Sequence, residues 1–173
     1  MIWMKPLEAQ VGLVLQENEM TAMKNYVGTK MILAKPMTRA EYTEYRGWAL
    51  PENEDGNDEG YLVEYPEGIS NHAEHRGYIS WSPKSQFDMA YIGLGNLQKF
   101  PSHEQRVFGE LAQLEQRLSA LQKFSKDDRF LKLPYKIRDL MQEQCRVMTR
   151  LAFILEERVA GFVNAGSIST QPC

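Results

Sequence analysis

Apolar positions in the last part of the chain recur at helical spacing. Val107, Leu111, Leu114, Leu118 and Leu121 follow one another at steps of four, three, four and three. That is the 3.5-residue period of a coiled-coil seam rather than a loose amphipathic stripe. Pro101-Ser102 opens the helix, with Ser102 as expected N-cap and Gln105 completing a capping box. After a charged connection over 125–132, with room for a helical turn of its own, Pro134 opens a second long helix. Its expected seam is Ile137, Met141, Gln144, Met148, Leu151 and Leu155, continued in frame by Phe162. Each rod is about 23–30 residues, or roughly 35–45 Å at 1.5 Å per residue. Together they predict an antiparallel helical hairpin over 101–165, with Gly161 and Gly166 near its end and a flexible tail over 166–173.

Two details of this hairpin bear on assembly. Gln144 interrupts an apolar seam, and such a residue costs stability while fixing register or oligomer state, or else faces a polar cavity. Leu131, Leu133, Val147, Phe153, Ile154 and Val159 lie off the expected seam and widen it. One hairpin exposes too much of that surface, so the rest of the chain or a second copy must cover it. A homo-oligomer is the economical expectation, since closed symmetric assemblies are the common solution for soluble chains.

The pattern earlier in the chain is different. Residues 1–25 read as an accessory segment, and Val27–Leu33 has the β-branched content of a strand that Pro36 ends. Thr38-Arg39-Ala40-Glu41 is a capping box for a helix carrying Tyr42 and Tyr45 on one face, ended by Gly47 and Pro51. An acidic loop over 51–60 leads to an alternating strand, Tyr61–Tyr65, with Tyr61, Val63 and Tyr65 on one face. A polar turn region over 66–76 precedes the strand Tyr78–Trp81. Ser82-Pro83 then opens another helix, with Ser82 as expected cap and Pro83 at the first helical position. Residues 26–92 thus form a small α+β module with a three-stranded antiparallel sheet, and 93–100, with Gly93 and Gly95, a linker. The expected fold class is α+β: the sheet module followed by the helical hairpin.

Composition sets outer bounds. The chain has 173 residues, 43% of them hydrophobic, so it can bury a real core. The net charge of −3 argues against binding a nucleic-acid polymer or an anionic membrane surface. Residues 101–173 carry 11 basic and 9 acidic side chains, while residues 1–100 carry 9 and 14. A mildly basic helical half beside an acidic half suits a small anionic ligand. Cys145 and Cys173 are not a disulfide framework, which points to a reducing compartment. The run Val11–Leu15 is too short for a secretory signal, and no stretch reaches the roughly 18–20 apolar residues of a membrane helix.

Little in the chain suggests catalysis. His72 and His75 form a His-x-x-His pair, but a zinc site needs further ligands that are not nearby in sequence. The calcium-like opening at Asp55 fails at its twelfth position, which is Pro66 rather than a bidentate Glu. No nucleophile elbow, phosphate loop or dinucleotide fingerprint is present. Cys145, inside a heptad helix, reads as a small buried hydrophobe. The chain is therefore expected to bind rather than catalyse, without a cofactor or metal.

Two features suggest what it binds. The module is dense in aromatic side chains, and the stretch Gly77–Lys84 ends a strand at a helix N-terminus with Tyr78, Trp81 and Lys84 close by. Rings can stack on bases, and free N–H groups with a lysine can meet an anion; simple capping is the competing reading. On the helices, Arg146 and Arg150 share a face and Arg106 lies in a first turn. Guanidinium groups fork onto phosphate oxygens, although intrahelical pairs with Glu143 explain the same residues.

Two stretches also carry a resemblance. Pro36–Tyr42, Tyr45–Trp48, Asp58–Tyr65 and Gly77–Lys84 resemble a module common in small phage and prophage proteins. Pro101–Val107 through Gly161-Phe162 resembles a helical-hairpin family of tailed phages, including the crAss-like ones. The hairpin is similar in plan to phage anti-defence sponges, which oligomerise and sequester the cyclic nucleotide messengers of CBASS and Thoeris immunity. The resemblance implies a phage protein acting in the host cytoplasm. It would hold a small phosphorylated nucleotide signal in pockets between subunits, with Arg106, Arg146, Arg150 and Lys84 on phosphates and Tyr78 and Trp81 on bases. The alternative is an inhibitor or adaptor that docks on a host protein through the acidic loop 52–59 and an exposed helix face.

Overall fold

In the computed structural model, residues 25, 27, 28 and 30–168 are described, with side chains through Asn164. The chain divides into two units, and the described residues from Met31 onward belong to the second. The expected accessory segment 1–25 lies, apart from Asn25, outside the described residues. In the second unit a small antiparallel sheet is followed by long helices, an α+β arrangement.

The sheet has three strands, β1 (Leu33–Pro36), β2 (Gly60–Tyr65) and β3 (Tyr78–Pro83), in that spatial order. Both pairings are antiparallel, with Leu33 opposite Glu64, Val63 opposite Ser80 and Leu62 opposite Trp81. The first strand lies later than the β-branched run predicts. The pairing begins at Leu33, and Pro36 closes an edge strand where its missing N–H need not serve the ladder. Helix α1 (Arg39–Tyr45) starts at the expected capping box: the Thr38 hydroxyl accepts from Glu41 N–H, and the Glu41 carboxylate accepts from Thr38 N–H at 2.7 Å. Gly47, at φ 68°, ends it in the left-handed region that favours glycine.

The two faces of the sheet take different helices. Leu62 and Ile79 pack with Tyr42 of α1, flanked by Met37, Tyr45 and Trp81. On the other face Tyr61 stacks on Phe87 of α2 (Lys84–Ala90) at 4.0 Å between centroids, and Tyr65 reaches Tyr91. The start of α2 differs from expectation. Pro83, still in β3, is the N-cap, and no side chain caps the helix; the Ser82 hydroxyl lies 3.5 Å from the Pro83 carbonyl instead.

Helix α3 (Ser102–Phe124), a short turn α4 (Asp128–Leu131) and α5 (Tyr135–Ile168) form the hairpin. Ser102 is the first residue of α3 rather than its cap. Pro101 is the N-cap, and Gln105 Nε2 donates to the Phe100 carbonyl at 2.8 Å. Asp127 caps α4 through Arg129 N–H. Before the sheet, the chain passes α3 at Gly109, where an added Cβ would meet Met31 Sδ at 3.4 Å. Phe108 of α3 faces Phe162 of α5 at 6.4 Å, which fixes the antiparallel pairing. α5 continues through Gly161 and Gly166 to Ile168.

The seam of α3 is as the period predicts: Val107, Leu114 and Leu118 are buried, with Leu111 packed beside them. The seam of α5 is not. Its inward face is Cys145, Met148, Ala152, Leu155, Val159 and Phe162, at steps of three, four, three, four and three. Met148, Leu155 and Phe162 belong to both descriptions. Ile137, Gln144 and Leu151 face outward. The expected seam mixed two stripes of one helix, and the small side chains of Cys145 and Ala152 form the layers that it missed.

Candidate functional site

The six residues expected at a site do not converge within one chain. Tyr78 and Trp81 are three apart on β3 and so point to opposite faces of the sheet. Tyr78 is 46% exposed. The Trp81 ring is occupied: Nε1 donates to the Met37 carbonyl at 2.9 Å, and the Arg39 guanidinium covers the ring at 5.2 Å. Arg39 is in turn paired with Glu54, whose carboxylate raises the guanidinium pKa.

Lys84 sits in acidic surroundings. Asp58, Glu59 and Asp88 line the shallow depression around it, and Asp88 lies 3.5 Å from its ammonium. That carboxylate raises the lysine pKa. Lys84 N–H, the backbone donor expected to meet an anion, donates to the Glu59 carbonyl. This end of β3 repels a phosphate more than it attracts one.

On the hairpin, Arg106 is exposed near the start of α3, at the level of Phe162. Arg146 lies about 16 residues back along α5 from Phe162, roughly 24 Å away. There Ser125, Met141, Gln142, Cys145, Arg146 and Thr149 line an open groove of about 420 Å³. It combines a cationic head, an amide and two hydroxyls with an apolar floor of Met141 and Cys145. Thr149 Oγ1 donates to the Cys145 carbonyl at 2.9 Å, which leaves its oxygen free to accept. Arg146 is held by the Glu143 carboxylate three residues before it. Arg150, one turn further on, covers the Phe153 ring at 5.2 Å.

Sequence reasoning missed a second polar group. His72 and His75 serve a hydrogen-bonded chain, and among the described residues no cluster of three or more His, Cys, Asp or Glu side chains is arranged to hold a metal. His75 Nδ1 lies 2.7 Å from Glu64, and Nε2 lies 3.0 Å from the Tyr45 hydroxyl. Tyr45 also donates to Glu74 at 2.9 Å and stacks on His72 at 4.5 Å. The His75 ring, with help from Gly77 N–H, holds the Glu64 carboxyl below its ordinary range against the opposing effect of burial. The group ties the 66–76 turn to α1 and β2. Only the His-x-x-His spacing hinted at it, because its acidic partner lies 11 positions before His75.

Among the described residues, no helix is long and apolar enough to cross a membrane. Residues 101–160, nearly the whole hairpin, match a protein-family model described as Sequestin. No curated protein and no solved structure matches the chain.

Proposed function

We propose that this protein sequesters a small phosphorylated, nucleotide-type signal without changing it, and that it does so as a homo-oligomer encoded by a phage against host immunity. The observation that carries the reading is a coincidence of place. The hairpin that matches the Sequestin model also bears the groove lined by Arg146. The family's name denotes sequestration, and a guanidinium beside amide, hydroxyl and apolar groups suits a phosphate attached to an organic body. Arg146 would carry the phosphate, Gln142 and Thr149 the polar edge, and Met141 the apolar floor. In this reading the ligand lies on the flank of one hairpin, a simpler arrangement than the expected pocket between subunits.

The test is a thermal-shift screen with cyclic mono- and dinucleotides and cyclic ADP-ribose isomers. A true ligand at 100 times its Kd stabilises by about 2.7 kcal/mol. The ligand should be recovered chemically intact after heat denaturation of the complex. No stabilisation by any of these compounds would overturn the reading, and a released hydrolysis product would replace it with a degrading enzyme. The exposed apolar stripe of α5 favours a second reading, an inhibitor docked on a host protein. Recovery of one host protein at a one-to-one ratio would support that instead.

A further inference from the structure

Helix α5 carries a second seam that nothing in the chain covers among the described residues. Ile137, Leu140, Val147, Leu151 and Ile154 are 43%, 55%, 58%, 39% and 42% exposed, with Gln144 in the middle of their row. Their steps, counted through Gln144, are three, four, three, four and three, so they form a full coiled-coil stripe. It lies about a quarter turn round the helix from the side that packs on α3. All the other large side chains that α3 and α5 bury belong to the first seam. Helix α3 contributes none of the exposed large hydrophobic residues, so on the hairpin the unpartnered surface belongs to α5 and its approaches.

We infer that α5 pairs antiparallel with α5 of a second copy through this stripe, turning two hairpins into a four-helix bundle. The charges beside the stripe select the occupant and its direction. On the side away from α3 the flanking residues are Lys136, Glu143, Arg150 and Glu157. An antiparallel two-fold that seats Ile137 on the partner's Ile154 and Leu140 on the partner's Leu151 has one consequence for them. It sets Glu143 beside the partner's Arg150, and Lys136 beside the partner's Glu157. Every flanking contact is then of opposite sign, twice over by symmetry. A parallel pair would instead set Lys136, Glu143 and Arg150 beside the partner's Met141, Met148 and Leu155, where no opposite charge meets them. Gln144 falls opposite the partner's Val147, near the axis, where a single polar residue disfavours slipped registers.

The surface is of the right size. The five side chains expose on the order of 400 Å² per copy, at the scale of a functional patch on a monomer. Burying it on both copies removes on the order of 800 Å², close to the apolar share of a standard interface. The Arg146 groove lies on the other flank of α5, so pairing leaves it open. Drawing Glu143 to the partner's Arg150 also takes that carboxylate from Arg146. The pairing provides the assembly that the sequestration reading calls for, yet its test uses no ligand.

Light scattering of the full chain at low micromolar concentration should give twice the 20.0 kDa chain mass. Glu143→Arg should give the lone chain with unchanged helical circular dichroism, and Glu143→Arg combined with Arg150→Glu should restore the dimer. Direction is read by crosslinking in a Cys145→Ala, Cys173→Ser background. Ile137→Cys with Ile154→Cys should form a disulfide-linked dimer on mild oxidation, and neither single cysteine should. Within one helix these positions are about 26 Å apart and cannot join. A monomeric wild type, a Glu143→Arg dimer, or crosslinking by a single cysteine would each overturn the interface. A dimer insensitive to Glu143→Arg that still binds nucleotide would overturn the interface and leave the sequestration reading standing.

Discussion

Leu151 and Leu155 are four residues apart on α5, yet the two seams assign them opposite duties, and a pair of alanine substitutions separates these. Leu155 is 2% exposed and lies in one buried cluster with Val107, Leu114, Leu118 and Ala152. Leu155→Ala removes the equivalent of about three methylenes at about 0.8 kcal/mol each, and the two packed helices cannot close over the gap. The expected loss is about 3–4 kcal/mol once the cavity is included. In a chain of this size that corresponds to about 6–15 °C in Tm. Leu151 is 39% exposed in the single chain, where truncation leaves no closed cavity, and Leu151→Ala should cost about 1 kcal/mol there. Urea unfolding followed by circular dichroism over a hundredfold range of protein concentration distinguishes the two. Leu155→Ala should shift the midpoint by nearly the same amount at every concentration. Leu151→Ala should matter little when dilute and more as concentration rises, because it weakens association. Equal losses at all concentrations would refute the two-seam description and restore a single broad seam.

Three further outcomes follow from the sheet module. Because Glu64 is held below the ordinary glutamate pKa of about 4.3, its contribution is complete above that pH and is lost as pH falls through the folded value. Tryptophan fluorescence should therefore report unfolding of the module on acidification below pH 4, and Glu64→Gln should flatten that dependence. Gly77→Ala would drive a Cβ into the Tyr65 carbonyl and should cost about 2–3 kcal/mol in a urea melt, whereas an alanine at Gly93, which has open space, should be near neutral. Thr38→Ala removes the hydroxyl that caps α1 and should cost about 1 kcal/mol by the same assay.

What the sequence made legible was local. The Thr38–Glu41 box needs only four residues to be recognised, and the fold has it. The α3 seam was legible because α3 carries one apolar stripe. α5 carries two, interleaved so that Ile137, Met141, Gln144, Met148, Leu151 and Leu155 imitate a single heptad run. The inner stripe also uses Cys145 and Ala152, which a search for large side chains passes over. The caps expected at Ser82 and Ser102 fell to the neighbouring prolines, Pro83 and Pro101. In each case the helix begins later or earlier than the hydroxyl requires. At the candidate site, Arg146 lines a groove as its helical position allowed, while the Trp81 ring is covered and Lys84 sits among carboxylates. Met37 and Arg39 at Trp81, and the Glu59 carbonyl at Lys84 N–H, are brought there by strand pairing and loop closure, whereas Asp88, four residues on in α2, reaches the lysine's ammonium through sequence proximity.

The most direct test of sequestration is native mass spectrometry of the full chain mixed with the nucleotide that stabilises it best. The expected result is a complex whose added mass equals the intact nucleotide, lost in Arg146→Glu while the protein stays folded. A protein that carries no nucleotide, or one whose Arg146→Glu variant binds as well as the wild type, would contradict it.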